Sequence, residues 1–109
     1  MRRSKFGNVW TEIDGIKFQS KAEARRYEVL RDRQTTGMIS DLRLQVSYPL
    51  TINGAKIATY RADFVYIRSG GEIVEDVKGV RTDLFKLKKK LMKALHGIEI
   101  YETGKANDP

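Results

Sequence analysis

Two short segments of the chain carry acidic side chains where a β-strand should be apolar. They are Tyr60-Arg61-Ala62-Asp63-Phe64 and Val74-Glu75-Asp76-Val77-Lys78-Gly79. Side chains two residues apart on a strand point to the same face, so Asp76 and Lys78 project together. If the two strands pair, Asp63 can join them. Carboxylates hold hard divalent cations, and a lysine can position a water or a phosphate oxygen, so the segments predict metal-dependent phosphodiester hydrolysis.

The neighbouring acids Glu75 and Asp76 point to opposite faces of their strand, so only one of them can belong to such a site. Asp76 shares its face with Lys78, and Glu75 does not. We therefore predict that Asp76 is a metal ligand and that Glu75 is a salt-bridge partner or a support for the ligands. The backbone carbonyl of Val77 would complete an oxygen-rich sphere for Mg²⁺. Lys78 would orient water and stabilise phosphate charge.

Each of these residues also has a purely structural interpretation. A buried carboxylate is costly unless it is paired with a cation or bound to a metal. For Asp63 the alternative is an ion pair with a nearby cation such as Arg61, and for Lys78 it is an ion pair with a surface acid. The position of Lys78 at the inner end of a strand, before Gly79, favours the functional interpretation.

A helix is predicted to begin at Ser20-Lys21-Ala22-Glu23, which has the form of a capping box with a glutamate three residues after the cap. As a member of that box, Glu23 needs no other role. In the alternative interpretation, the helix brings Glu23 to the edge of the metal site as a third acid. Both roles are compatible only if the side chain turns away from its cap.

Turn signals divide the rest of the chain. Asp14-Gly15, Asn53-Gly54 and Ser69-Gly70-Gly71 are typical of tight turns between strands. The predicted elements are a hairpin (9–13 and 16–18), a helix from 20 to about 35, a connector (38–44), strands (45–52, 56–67 and 72–78), a helix (82–95) and a strand (97–101). Leucines recur at helical spacing in the second helix and are expected to face the sheet; they are Leu84, Leu87, Leu91 and Leu95.

Composition predicts one small domain with a polyanionic partner. The chain has 109 residues, a formal net charge of +7, no cysteine and one histidine. Disulfides, thiolate zinc sites and cysteine nucleophiles are excluded, and a histidine-rich metal site is not expected. Because Lys and Arg contacts to phosphates dominate nucleic-acid affinity, we expect basic residues of both helices to bind the phosphate backbone of a nucleic acid. The residues concerned are Lys21, Arg25, Arg26, Lys86, Lys89, Lys90 and Lys93.

The domain is expected to span residues 1–109, with a core at about 9–102 and loose ends at 1–8 and 103–109. Trp10, Tyr27 and Tyr60 could stack on bases, but their spacing favours the core. No segment is long and apolar enough to span a membrane and no signal peptide is visible, so we expect a cytoplasmic location.

Asp63 followed by Asp76-Val77-Lys78 resembles the motif of the PD-(D/E)XK nuclease superfamily. The predicted element order resembles its αβββαβ core, a restriction-endonuclease-like α/β fold with a central mixed sheet flanked by helices, here preceded by a β-hairpin. Ser20 to Tyr27, with Glu23, is similar to the first helix of the archaeal Holliday-junction resolvases. The run from Asp14 to Gly79 also resembles a family of small phage proteins of unknown function.

The resemblance implies Mg²⁺- or Mn²⁺-dependent cleavage of DNA, with Asp63, Asp76 and Lys78 in the central roles and Glu23 as a candidate fourth. The proline that usually precedes the first aspartate is Ala62 here, a minor departure. The resolvase branch implies a homodimer acting on branched DNA, located in the host cytoplasm if a phage encodes it. We therefore expect a structure-selective endonuclease. The alternatives are a nuclease for linear DNA and a non-catalytic nucleic-acid-binding module that kept the fold.

Overall fold

The chain folds as a four-stranded mixed sheet covered by two helices, with a small N-terminal sheet beside it. The computed structural model describes residues 2–3 and 9–104, with side chains described from 10 to 104. Its elements are β1 (Arg2–Arg3), β2 (Val9–Ile13), β3 (Ile16–Phe18), α1 (Lys21–Thr35), β4 (Ser40–Ile52), β5 (Ala55–Arg68), β6 (Gly71–Val77), α2 (Asp83–His96) and β7 (Tyr101–Thr103). The predicted α/β fold class, with its N-terminal hairpin, is confirmed.

The main sheet has the order β4-β5-β6-β7. The first three strands form an antiparallel meander, and β7 pairs parallel with β6. Tight turns join the three strands of the meander. Both central residues of each turn have positive φ, with 49° and 80° at Asn53-Gly54 and 50° and 81° at Ser69-Gly70. This backbone matches the twist of the flanking strands. The parallel β6–β7 pair needs a crossover, which α2 supplies.

Side-chain caps fix where both helices begin. Ser20 Oγ accepts a hydrogen bond from the Glu23 N–H at 3.1 Å, and Thr82 Oγ1 accepts one from the Phe85 N–H at 3.1 Å. Such caps satisfy backbone donors that the first helical turn leaves without partners. Gly97 ends α2 in the left-handed conformation, with φ 68°.

Each face of the sheet has its own apolar core. Phe64 and Tyr66 of β5 pack with α1 and the hairpin, through residues such as Leu30. Val65, between them in sequence, packs with α2 and residues such as Met92. This alternation is the normal pattern of a strand buried on both faces.

The alternation breaks at Asp63. Ala62 packs in the α2 core and Phe64 in the α1 core, although residues two apart on a regular strand share a face. The β4 residues that pair with Ala62 and Phe64 likewise pack in different cores. Gln45 lies between these two β4 residues and has φ 55°. A left-handed non-glycine residue costs roughly 1 kcal/mol or more and often marks a functional site. Pairing of β5 with β6 ends at Phe64, so Asp63 lies just where the two strands part.

The expectation that the α2 leucines face the sheet is largely wrong. The buried residues of α2 are Phe85 and Met92, which lie two turns apart on one face. Leu84, Leu87 and Leu95 are rotated roughly 80° to 160° from that face and remain exposed. Leu91 alone of the four packs partly against the core.

Some boundaries also differ from the sequence-based prediction. β4 begins at Ser40 inside the expected connector, and β7 is Tyr101–Thr103 because residues 98–100 lead the chain from the end of α2 back to the sheet. Arg2–Arg3 pairs with β2, and Thr103 is buried, so neither belongs to a loose end. Gly104 is exposed, and the other residues predicted as loose lie outside the described part of the chain. No helix among the described residues is long and apolar enough to cross a membrane.

Candidate functional site

The acids and the lysine of the predicted metal site line one open cleft of about 600 Å³. The N-terminal hairpin, the N-terminal turns of both helices, the middle of β5 and the C-terminal end of β6 border this cleft. Its lining includes the acids Glu23, Asp63 and Asp76 together with Lys78. The fold therefore brings together residues that are far apart in the sequence, as the motif predicts.

Asp76 is held in one orientation at the cleft wall. The carboxylate is almost fully buried, and Oδ2 accepts a hydrogen bond from the Tyr60 hydroxyl at 2.7 Å. Oδ1 lies 3.1 Å from Lys78 Nζ, which in turn lies 4.3 Å from the centre of the Phe85 ring. Asp76 and Lys78 thus share a face as predicted, and the ring and the carboxylate together fix the ammonium at the cleft.

Asp63 has no cationic partner within ion-pair distance among the described residues. The alternative of an ion pair with Arg61 is therefore not formed. Its Oδ2 accepts a hydrogen bond from the Val77 N–H at 2.8 Å. Burial, with the nearby charges of Glu23 and Asp76, raises the pKa of Asp63 to about 7.

Of the two interpretations of Glu23, the structure places the carboxylate in the cleft, and its role as a metal ligand stays a prediction. The backbone N–H caps onto Ser20, while the carboxylate lines the cleft and, among the described residues, makes no return bond to the cap. Burial and the charge of Asp76 raise the pKa of Glu23, and Lys78 and Arg61 partly oppose that rise. The carboxylate has therefore turned from its cap toward the other two acids.

The donors at the cleft are oxygen ligands, the type that a hard divalent cation takes. Glu23, Asp63 and Asp76 repel one another in a half-buried cleft, and a bound cation would remove this repulsion. The N–H of Val77 points at Asp63, and the carbonyl of a strand residue lies on the same side as its N–H. Among the described residues no group of three or more His, Cys, Asp or Glu side chains is placed to hold a metal ion, so the metal site stays a prediction.

Glu75 faces the opposite side of β6, as predicted, and forms a buried ionic cluster. It is fully buried and accepts hydrogen bonds from Arg26 Nε at 2.7 Å and Nη2 at 3.1 Å. The hydroxyls of Tyr66 and Thr103 donate to the same carboxylate at 2.7 and 2.9 Å. Glu75 thus ties α1, β5 and β7 to β6.

The expected DNA contact is wrong for Arg26, because its guanidinium is buried against Glu75 and the residue is only 8% exposed. Lys21 and Arg25, on the same helix, are exposed and remain predicted DNA contacts. The difference follows from helical geometry, since Arg26 lies on the face of Leu30 that packs against the sheet.

The predicted lysines of α2 lie outside the cleft. They border a second groove together with Arg81; they are Lys86, Lys89, Lys90 and Lys93. Lys89 is bound to Glu102 at 2.6 Å, whereas the other three remain exposed. The α2 lysine that lines the cleft is Lys88, which sequence reasoning missed. Lys88 lies one turn after Leu84 on the helix, but Leu84 was expected to face the sheet, so the sequence carries no signal for it.

Tyr60 and Phe85 were also missed as parts of the site. Tyr60 was predicted as a core residue or a base-stacking residue, and it is a core residue that also holds Asp76. Phe85 follows the helix cap and supports Lys78. Neither role has a local sequence signal, because each depends on a residue of another element.

Over residues 3–103, the chain matches the family described as "Protein of unknown function (DUF1064)". No curated protein and no solved structure matches the chain.

Proposed function

The chain belongs to the DUF1064 family, and we propose that it is a metal-dependent nuclease of the PD-(D/E)XK type that hydrolyses phosphodiester bonds in DNA. The observation that carries the proposal is the convergence of Asp63, Asp76 and Lys78 in one cleft. In a chain of net charge +7, an acidic cluster in the main cleft would repel phosphates unless a cation neutralised it. A surface that only binds nucleic acid has no use for that cluster.

The chemical roles follow from the contacts. Asp63 and Asp76, with Glu23 and the Val77 carbonyl, would hold Mg²⁺ or Mn²⁺. When bound, such a cation polarises the scissile phosphate and activates a water. Lys78 orients that water and offsets the charge that develops on the phosphate oxygens.

Two further residues keep this set in position. Tyr60 donates to one oxygen of Asp76 and so leaves a defined edge of the carboxylate for the metal. Burial and this hydrogen bond raise the pKa of Tyr60, so the phenol remains a donor throughout the physiological range. Phe85 holds the Lys78 ammonium at the cleft wall.

We propose branched DNA as the substrate and a homodimer as the acting form, because cutting two strands of a junction takes two copies of the cleft. The exposed basic residues of both helices, with Lys88 in the cleft, would hold the phosphate backbone without reading bases. Sedimentation of the free protein and of its DNA complex would measure the number of copies.

The test is cleavage of a labelled four-way junction and of linear duplex with the same sequence, in Mg²⁺, Mn²⁺ or EDTA. Asp76→Asn is expected to abolish cleavage and retain binding, whereas Asp41→Asn, an exposed acid outside the cleft, should cleave normally. Equal cutting of both substrates would retain the nuclease and remove the junction preference. Metal-dependent cleavage by purified Asp76→Asn would refute the assignment, and tight binding without cleavage would favour a non-catalytic binding module.

A further inference from the structure

The cleft contains an aromatic wall that the proposed chemistry does not use. Trp10, on β2, is half-buried and lines the same cleft as Asp63 and Asp76. Within the described part of the chain, its indole stacks on no other ring and its N–H has no hydrogen-bond acceptor. The large aromatic face of Trp10 therefore borders the cleft and is not packed against another ring.

The other two aromatic residues singled out by the sequence are already engaged. Tyr27 and Tyr60 are only 8% and 3% exposed, and their hydroxyls donate to Asp14 and Asp76. Of these three aromatic residues, Trp10 is the one placed to meet a ligand.

Cations lie around the same cleft. Lys17, Arg61 and Lys88 line it, and none of the three is in an ion pair with an acid of the described residues. An aromatic face beside cations fits the two parts of a nucleotide, since the base stacks on the ring and the phosphates meet the cations. Leu84, which is 59% exposed, adds an apolar edge to the same cleft.

We propose that the cleft binds an unpaired nucleotide beside the scissile phosphate, with its base stacked on Trp10 and its phosphates at Lys17, Arg61 and Lys88. In an intact duplex the faces of the bases are covered by their neighbours, so only a single-stranded or splayed strand can present one to a side chain. The inference rests on the proposed nuclease function and narrows its substrate to branched DNA in which a nucleotide next to the cut is unpaired or splays out at the branch point.

The first measurement uses Trp10 as its own probe, because it is the one tryptophan of the chain. Its fluorescence is followed while short oligothymidylate is added in EDTA, where no cleavage occurs. Saturable quenching is expected with oligothymidylate and much weaker quenching with a blunt duplex at the same nucleotide concentration. Unchanged fluorescence at concentrations where labelled oligothymidylate is bound, or equal quenching by both DNAs, would overturn the proposal.

Three variants separate stacking from packing. Trp10→Leu keeps an apolar side chain on the hairpin but removes the aromatic face, and Trp10→Phe keeps a smaller face. By fluorescence anisotropy of labelled oligothymidylate, Trp10→Leu should bind roughly 5- to 100-fold more weakly, and Trp10→Phe within about fivefold of the parent. Tyr101→Leu, an exposed aromatic residue outside the cleft, should bind normally. A purely structural role predicts no such difference, with Trp10→Leu binding as tightly as Trp10→Phe.

Cleavage assays distinguish failure of this inference from failure of the proposed function. With Mn²⁺, Trp10→Leu should cut a flapped or splayed substrate more slowly at low substrate concentration and recover at saturation, because the metal site is intact. Parental rates at low concentration would overturn the inference and leave the nuclease standing. No metal-dependent cleavage by the parent, with Trp10-dependent oligothymidylate binding intact, would refute the nuclease and leave the nucleotide site standing.

Discussion

Replacing Asp63 by asparagine should stabilise the metal-free protein at alkaline pH although it removes a proposed metal ligand. Asp63 is half-buried beside Glu23 and Asp76, and burial with these two charges raises its pKa to about 7. The folded protein therefore disfavours the ionised carboxylate. Asparagine has nearly the same shape, can accept the Val77 hydrogen bond and carries no charge, so it relieves repulsion without opening a cavity.

The magnitude follows from the size of the pKa change. Raising the pKa from 3.8 to about 7 corresponds to about 4 kcal/mol, because one pKa unit equals about 1.4 kcal/mol. Asp63 is partly exposed and water screens its interactions, so we expect a gain of about 1–2 kcal/mol in the free energy of unfolding.

The direction of the Asp63 pKa change determines the pH range over which its contribution to stability is lost. An acid with a raised pKa contributes stability that is fully present below the pKa of the unfolded chain and is lost as pH rises through the folded pKa. The wild-type contribution is therefore lost between about pH 4 and about pH 7. The advantage of Asp63→Asn should grow across this range and stay constant above it.

Urea denaturation in EDTA at about pH 4.5 and about pH 8 measures both the gain in the free energy of unfolding and its dependence on pH. Asp32→Asn is the control, because Asp32 is exposed and its ion pair is with Arg31, outside the cleft. In saturating Mn²⁺ the order should reverse, since the wild type gains binding free energy that the variant lacks. A variant less stable than wild type at the higher pH, or equally shifted at both, would refute the reasoning.

Two further perturbations test the surroundings of the cleft. Glu75→Gln removes the carboxylate charge opposite the buried Arg26 guanidinium, so urea denaturation should show a loss of about 3 kcal/mol in the free energy of unfolding; a loss below about 1 kcal/mol would mean that the cluster is not ionic. Lys88→Ala and Lys93→Ala should each lower the salt slope of duplex binding by about 1, measured by anisotropy over a salt series. Of these two variants, Lys88→Ala alone should weaken oligothymidylate binding, because Lys93 lies outside the cleft. Equal weakening by both would contradict the proposed nucleotide site.

Local rules predicted most of the fold. Asp14-Gly15 and Asn53-Gly54 form the turns that their residue types favour, and Ser20 and Thr82 cap the helices. The shared face of Asp76 and Lys78 follows from the two-residue period of a strand and needs no tertiary information.

The same local rules failed where the structure depends on contacts between residues far apart in the chain. Helical spacing in α2 fits either the leucines or Phe85 and Met92, and the choice depends on the shape of the sheet beneath. The break in alternation at Asp63 depends on Gln45 in the neighbouring strand. Arg26 appeared to be a surface cation because its partner lies 49 positions away in the chain.

The adjacent acids of β6 link the core to the chemistry. Asp76 enters the cleft, while Glu75, on the other face, binds Arg26 of α1. Arg26 lies one turn after Glu23, so the buried ion pair fixes the rotation of the helix that presents Glu23 to the other acids. One strand thus supplies a candidate ligand and, from the preceding residue, the anchor that positions another. A change at Glu75 should therefore reach the cleft through α1, as a displacement of Glu23, before it disturbs Asp76, which Tyr60 and Lys78 hold independently.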